Sequence, residues 1–404
     1  MHILFLSHYF FPEGNAPASR TYENCKRWVR SGHKVTVITG VPNVPDGVIY
    51  EGYKNKIRQW EDIDGIRVLR VWTYIAPNKG VVKRTINYLS FMFSSLQGVF
   101  VKDVDIIVAT SPQFFCAMGG YLLSRLKRVP FLMEVRDLWP ESIKTVGAIR
   151  NHRIIKALER LELFLYKKAD YIVVLTESFK KIIKGRGIPE DKITVIKNGV
   201  EMEFFKPLKK PEEAKKTLGF DGKFVVSYIG TLGMAHALDC ILSVAERTKE
   251  HENILFLFVG SGAEKDKLLK IKEDKSLKNV RFVGRQPKNL IPLYYECSDV
   301  CLVPLRKTQL FKTVLPSKIF EIMAMGKPII QSVDGEAREM LEQSRAGIYV
   351  EPEDEQAVYE AILYLCRNPE ECQIFGQNGR TFVEKNFNRD YWANEYLNVM
   401  KNIV

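Results

Sequence analysis

Short runs rich in valine and isoleucine recur along almost the whole chain, each followed by a longer stretch with helical spacing. That alternation limits the chain to folds built from βαβ units on parallel sheets. A first series occupies 3–6, 35–39, 66–71, 106–109, 131–135, 171–175 and 193–196, and a second 224–228, 254–259, 280–283, 300–304, 328–330 and 348–350. Most runs are continuously apolar, as strands covered on both faces must be. Between the series, the polar stretch 198–211 with Gly199, Pro207 and Pro211 reads as a linker. At 404 residues the chain exceeds what one core organises, so the expectation is an α/β protein of two doubly wound domains, 1–198 and 199–385. After Pro352 the pattern turns helical at 355–367, at 370–379 and from Arg389 onward. The last helix, with Tyr391, Trp392, Tyr396 and Met400 on its apolar side, needs a second surface to cover.

The chain carries 60 Lys and Arg against 48 Asp and Glu, a net charge of +12, which suits an anionic partner: nucleic acid, nucleotide or phospholipid surface. No aromatic-plus-basic RNA motif, zinc finger or basic zipper is visible, so nucleic acid is not the expected partner. Seven cysteines scattered from Cys25 to Cys372 without CxxC pairs fit the reduced thiols of a cytosolic enzyme. The opening MHILFLSHYFFPEG has no basic segment and reaches Pro12, Glu13 and Gly14 too soon for a signal peptide or spanning helix; it reads as a buried first strand.

Several familiar signatures are missing, among them the P-loop, HExxH and a His/Cys cluster, and the nearest approach to GxGxxG is Gly260-Ser261-Gly262. Asp103-Val104-Asp105 resembles a metal-holding DxD element, but it precedes a strand, whereas open α/β sheets bind ligands beyond the carboxyl ends of their strands; no metal is expected. In the first loop, 7–18, Gly14 lets backbone approach a ligand, and a helix from near Ser19 offers positive potential to phosphate, with Arg20 one turn in. The sharpest segment is 312–321. Pro316 and Ser317 mark a helix start whose preceding amides favour anions, and Lys318 and Glu321 share one helical face. A cation for diphosphate thus sits beside a carboxylate able to accept from two ribose hydroxyls, unless the pair is an ordinary surface ion pair. Arg136 and Asp137 stand at the carboxyl end of the strand 131–135, where ligands bind; a structural salt bridge within the loop is the competing reading. Segment 81–101, with Tyr88, Phe91, Met92, Phe93, Val99 and Phe100 flanked by Lys79, Lys83, Arg84 and Lys102, suits an anionic lipid surface, as do Arg150, Arg153, Lys156, Arg160, Lys167 and Lys168; a buried helix is the competing reading.

In order along the chain, Pro12-Glu13-Gly14, Arg136-Asp137-Leu138-Trp139-Pro140-Glu141-Ser142, Asn198-Gly199-Val200, Gly230-Thr231-Leu232-Gly233, Phe282-Val283-Gly284-Arg285 and 315–321 resemble the retaining family 4 glycosyltransferases, in particular the amino-sugar transferases of O-antigen and capsule assembly, N-acetyl-fucosamine transferases included. The resemblance implies a GT-B fold: two Rossmann-like domains facing across a cleft, the second holding the nucleotide, the first the acceptor, and a last helix, 386–404, crossing back to the first domain. It makes Glu321 the ribose-binding member of a Glu-x7-Glu motif whose earlier position is Thr313 here. Where the family offers Arg and Lys to the diphosphate, after Gly230, this chain has Thr231 and His236, so compensation falls to Lys318, Arg285 and the amides near Leu315. Arg20, Arg136, Asp137 and Glu141 are implied on the acceptor side, with Asp137 or Glu141 binding hydroxyls or assisting the acceptor proton. The implied reaction is retaining, without cofactor or metal: a UDP-linked N-acetylated hexosamine or deoxyhexosamine passes to a lipid-linked saccharide in surface polysaccharide synthesis, at the inner face of the cell membrane. A non-hydrolysing UDP-sugar epimerase and a silent glycan-binding subunit are the alternatives.

Overall fold

The computed structural model describes residues 1–44, 46–77, 80–111, 114–141, 151–208 and 211–404; Lys79, Ser142 and Arg150 of the residues singled out above lie outside them. The chain divides into two compact units, Met1–Asn198 with Arg389–Val404, and Gly199–Asn388.

The first unit is built on an eight-stranded sheet in the order β3-β4-β2-β1-β5-β6-β7-β8. Its strands are β1 (His2–Leu6), β2 (Lys34–Thr39), β3 (Arg58–Ile63), β4 (Ile66–Val71), β5 (Ile106–Thr110), β6 (Phe131–Val135), β7 (Tyr171–Val174) and β8 (Ile193–Val195). β1, β5 and β6 are buried at every position, which explains their unbroken apolar runs. Every pairing is parallel except β3 with β4. β3 is the one strand not expected from the sequence. Its residues, Arg-Gln-Trp-Glu-Asp-Ile, carry little apolar character, and it forms because Asp64 and Gly65, both at positive φ (52° and 79°), close a two-residue hairpin onto β4.

Helix α1 (Ala16–Arg30) starts three residues ahead of expectation, since the Asn15 side chain accepts the Ala18 amide at 2.9 Å and Pro17 sits in the first turn. The last helix, Arg389–Lys401, packs on α1: the Trp28 Nε1 donates to the Ala393 carbonyl at 2.9 Å, and the Trp28 ring meets Tyr396 edge-on at 5.2 Å. Ala393, Tyr396, Leu397 and Met400 form its buried stripe, whereas Tyr391 is exposed. The preceding helix runs Pro369–Asn386, past the expected end at 379, so the chain leaves the second unit at Asn388 rather than at 385.

The second unit carries a six-stranded sheet, parallel throughout, in the order β11-β10-β9-β12-β13-β14. Here β9 is Phe224–Ile229, β10 Ile254–Val259, β11 Val280–Val283, β12 Val300–Pro304, β13 Ile329–Ser332 and β14 Gly347–Tyr349. The chain winds outward from β9 to β11, then restarts on the other side at β12. The gap between the carboxyl ends of β9 and β12 is therefore a topological switch point, where doubly wound sheets bind ligands.

Candidate active site

The loops after β9 and β12 meet at that switch point. β9 ends at Ile229, just before Gly230, and the loop after β12 leads into the seven-residue helix Lys318–Ala324. Lys318 reaches back so that its Nζ lies 3.7 Å from the Tyr228 ring centroid. Gly230, at φ 148°, keeps the adjacent space clear, because a Cβ there would stand 2.8 Å from that Nζ. The Lys318 ammonium is enclosed and has no hydrogen-bond partner among the described residues. Burial brings its pKa down to about 7, with the Glu321 carboxylate opposing the shift. Glu321, one turn on, accepts a hydrogen bond from the Tyr295 hydroxyl at 3.0 Å.

The remaining parts of the loop are scaffolding. The amides of Gly230, Leu232 and Gly233 donate to Val259, Ser261 and Thr231 carbonyls, and the Tyr228 hydroxyl donates to the Thr231 carbonyl at 2.7 Å. Gly260 and Gly262 serve close backbone approach, since a Cβ would lie 1.9 Å from the Gly230 oxygen or 2.4 Å from that of Leu232; the Gly-Ser-Gly element braces the β9 loop. The His236 ring stands 5.7 Å from that of Tyr228, and burial, with Lys318 nearby, lowers its pKa to about 3, so it is neutral and supplies no charge. The helix start differs from expectation as well. Ser317 has helical φ and ψ and its side chain caps nothing, while the Ile319 and Phe320 amides close tight turns onto Pro316 and Ser317. Those two amides are engaged within the helix start. Thr313 ends a short 3-10 turn with its hydroxyl donating to the Leu310 carbonyl at 2.7 Å; Leu315 and Pro316 are half-buried in the same loop. Arg285 is exposed beyond the end of β11, two strands from β9.

In the first unit, Gly14 is exposed in the loop after β1. Glu13 beside it is buried, accepts the Asn43 and Val44 amides at 2.9 and 3.1 Å, and is pushed up to about 7 by burial. Arg20, expected on the acceptor side, is instead buried. Its Nε donates to Glu134 at 2.9 Å, and its other nitrogens donate to the Ile196 and Lys197 carbonyls and the Asn198 side chain. Arg136 donates to the Ala16 and Pro17 carbonyls, both at 3.1 Å, at the start of α1. Burial lowers its pKa to about 10, so it stays charged; burial also works against Glu134, but Arg20 and Arg136 hold that carboxyl below its usual range. Glu141 pairs with Arg186, which also holds Glu162. These charges tie elements together. Asp137, half-buried, stands two residues past the carboxyl end of β6. At the opposite end of the sheet, Asp105 accepts the His2 amide at 2.6 Å, pinning β1 to β5.

Sequence reasoning missed Tyr228 and Tyr295, whose partners lie 90 and 26 residues away in sequence. It also missed Arg70, whose guanidinium binds Glu61 of β3 and donates to the Gly40 and Phe11 carbonyls at 2.9 and 2.6 Å, anchoring the loop that carries Glu13 and Gly14. The Asp64-Gly65 turn was the available signal for that hairpin.

Residues 15–199 match the glycosyl transferase 4-like domain family, and residues 209–382 match glycosyl transferases group 1. The chain is a group 1, type 4-like glycosyltransferase. Along 98% of its length it is 22% identical to a putative colanic acid biosynthesis glycosyl transferase of Escherichia coli K12, of which 99% is covered. Over 63% of its length it is 22% identical to an O-antigen chain mannosyltransferase of Escherichia coli, of which 67% is covered. Its two Rossmann-like sheets are those of GT-B glycosyltransferases. The structure resembles a sucrose-phosphate synthase from Thermosynechococcus elongatus (TM-score 0.79, 18% identity, 99% of this chain and 98% of that one) and Anabaena HepE solved with UDP-glucose (TM-score 0.74, 16% identity, all of both chains). This glycosyltransferase thus has relatives in the biosynthesis of surface polysaccharides.

Proposed function

We propose that this glycosyltransferase moves an N-acetylated hexosamine or deoxyhexosamine from UDP to a lipid-linked saccharide, with retention of anomeric configuration, during assembly of a surface polysaccharide. The observation that carries this reading is the enclosed Lys318 ammonium beside Gly230 and one helical turn from the Tyr295-held Glu321. A nucleoside diphosphate fits both groups at once: the carboxylate accepts from the ribose hydroxyls and the ammonium takes the diphosphate. Related structures solved with UDP and UDP-glucose, and relatives named for colanic acid and O-antigen synthesis, support the donor and the pathway class. Relatives that depend on GDP-mannose supply the competing base.

The chemistry rests on the leaving group. As the sugar–phosphate bond breaks, negative charge gathers on the diphosphate, and a cation already in place lowers that barrier without reorganisation. The departing phosphate takes the acceptor proton on the same face, so no carboxylate nucleophile and no metal are needed. In the first unit Asp137, at the carboxyl end of β6, binds an acceptor hydroxyl; in the second, Thr313 and the 315–317 loop line the donor side, with Thr231 as a lesser contact. Arg285, after β11, adds charge compensation for the diphosphate. The enzyme works in the cytoplasm, where UDP-sugars are made, at the membrane that anchors its acceptor.

Nucleotide release from a panel of UDP-sugars and GDP-mannose, with and without a membrane lipid extract and with chelator throughout, tests the reading. Release only with a UDP-N-acetylhexosamine and the extract is expected, falling about 100-fold or more in Lys318→Ala. Release from GDP-mannose instead, or full activity in Lys318→Ala, overturns the donor or the site.

A further inference from the structure

β3 closes one end of the eight-stranded sheet, and among the described residues no further strand covers its outer edge. An open edge is a template for another strand, and natural sheets blunt such edges with lysine, proline or a bulge. β3 has neither lysine nor proline and pairs with β4 without a bulge. Apolar groups stand along it, with Ile57 77%, Trp60 37% and Trp72, just past β4, 41% exposed. Its charges are of mixed sign, and one of them, Glu61, is already engaged by Arg70.

The hydrogen-bonding phase of this edge follows from the ladder behind it. The Trp72 amide donates to the Ile57 carbonyl at 3.3 Å, and bonded pairs recur at every second residue, so Gln59, Glu61 and Ile63 turn their backbone groups inward to Arg70, Val68 and Ile66. Arg58, Trp60 and Asp62 therefore direct their N–H and C=O groups outward. Their side chains share one face of the strand, and all are exposed. No salt bridge holds Arg58 or Asp62 among the described residues: Arg58 lies over the Trp60 and Phe100 rings at 5.8 and 5.6 Å, and Asp62 accepts the Gly65 amide at 3.0 Å.

A second copy of this strand complements that pattern. Two-fold symmetry sets the edge antiparallel to itself, and only outward-facing residues can be bonded across the new ladder. An axis at Trp60 uses all of them. Trp60 then meets its own counterpart, and Arg58 opposes Asp62 on both sides of the axis, where opposite charges facing each other stabilise the pairing. Moving the axis to Gln59 or Glu61 leaves one of the outward residues with no β3 residue opposite, and at Glu61 it sets that acid against its own copy.

We propose that this protein forms a reversible homodimer through β3, the two eight-stranded sheets joining edge to edge about a two-fold axis at Trp60, with Arg58 of each copy facing Asp62 of the other. The contact goes beyond the reaction proposed above and is independent of it. A strand edge alone covers less than the about 1,200 Å² of a stable interface, so the dimer belongs to the weak, concentration-dependent class.

Sedimentation velocity of the full-length protein from about 1 µM to about 1 mM tests this. The parent is expected to pass from monomer to dimer within that range. Arg58→Asp sets acid against acid at both charge pairs, and Asp62→Arg sets base against base, so each variant alone is expected to dimerise with affinity about tenfold or more lower. An equimolar mixture of the two variants restores opposite charges at both pairs and is expected to recover the parent's affinity as a mixed dimer. Should either variant fail to fold by circular dichroism, Trp60→Pro decides: it removes one outward N–H, leaves the ladder to β4 its bonds, and is expected to be monomeric. A parent that stays monomeric, species larger than a dimer, single variants that dimerise like the parent, a mixture no better than its components, or a dimeric Trp60→Pro would each overturn the proposal.

Discussion

An ammonium enclosed without a hydrogen-bond partner is costly for a folded chain, and the depressed pKa of Lys318 records that cost. Glu321 on the same helix, Cys301 on β12, and Tyr228 and His236 around the β9 loop are the titratable groups that surround it, and of these Glu321 first and Cys301 second oppose the loss of charge. Between about pH 7 and about pH 10 the unfolded chain binds a proton here that the folded chain lacks, so this group makes stability rise with pH across that window and leaves it level below. A bound diphosphate restores the charge. Its affinity is therefore expected to be level below about pH 7 and to fall by up to about tenfold per unit above it, whereas Lys318→Arg, always protonated, removes the slope. Calorimetric titration of UDP from about pH 6 to pH 9 checks this; a parent profile as flat as the arginine variant's would mean the lysine is already charged. Lys318 and Glu321 were legible because three-residue spacing at a helix start puts two side chains on one face. Tyr228 and Tyr295 were not, since nothing local marks an aromatic ring as the seat of a distant lysine or the donor to a distant carboxylate. Arg20 and Glu141 misled for a related reason: a charge near a strand end looks alike in sequence whether it faces ligand or, as here, Glu134 and Arg186.

At the scale of elements, Arg70 shows how a strand positions a loop it does not belong to. Its guanidinium is 1% exposed and binds Glu61 of β3 together with two loop carbonyls. Arg70→Met leaves Glu61 and both carbonyls without their donor and is expected to cost about 3 kcal/mol or more, read by urea denaturation, with Glu61→Gln costing clearly less. A loss under about 1 kcal/mol would show that the hairpin and the loop hold themselves. The parallel strands could be read because burial on both faces demands unbroken apolar runs. β3 is an edge strand with alternating half-buried and exposed residues, and only the Asp64-Gly65 turn betrays it. In the helix Val81–Ser95 the same periodicity that signals a helix could not say which of two apolar stripes is core, because that depends on what packs against it.

For the whole molecule, the division into units has an unequal consequence. Residues 199–388 form one continuous segment with its own cores, whereas the core of the first unit includes Tyr396, Leu397 and Met400 from the far end of the chain. A 199–388 fragment is thus expected to melt cooperatively and bind UDP, while a 1–198 fragment, with Trp28 uncovered, is expected to be unstable until a 389–404 peptide is added; circular dichroism with and without the peptide separates the cases. A stable 1–198 fragment would show that the last helix is ornamental to that core. The sequence by itself determined two parallel α/β halves, the linker near Asn198, the terminal helix and the Lys318–Glu321 pair, because each follows from apolar periodicity, chain length or spacing within one helix. Only the tertiary structure decided which charges are structural ties, where Lys318 points, that His236 contributes no charge, and which face of the helix Val81–Ser95 meets solvent. Those outcomes depend on burial and on partners tens of residues away, and local pattern carries no information about either.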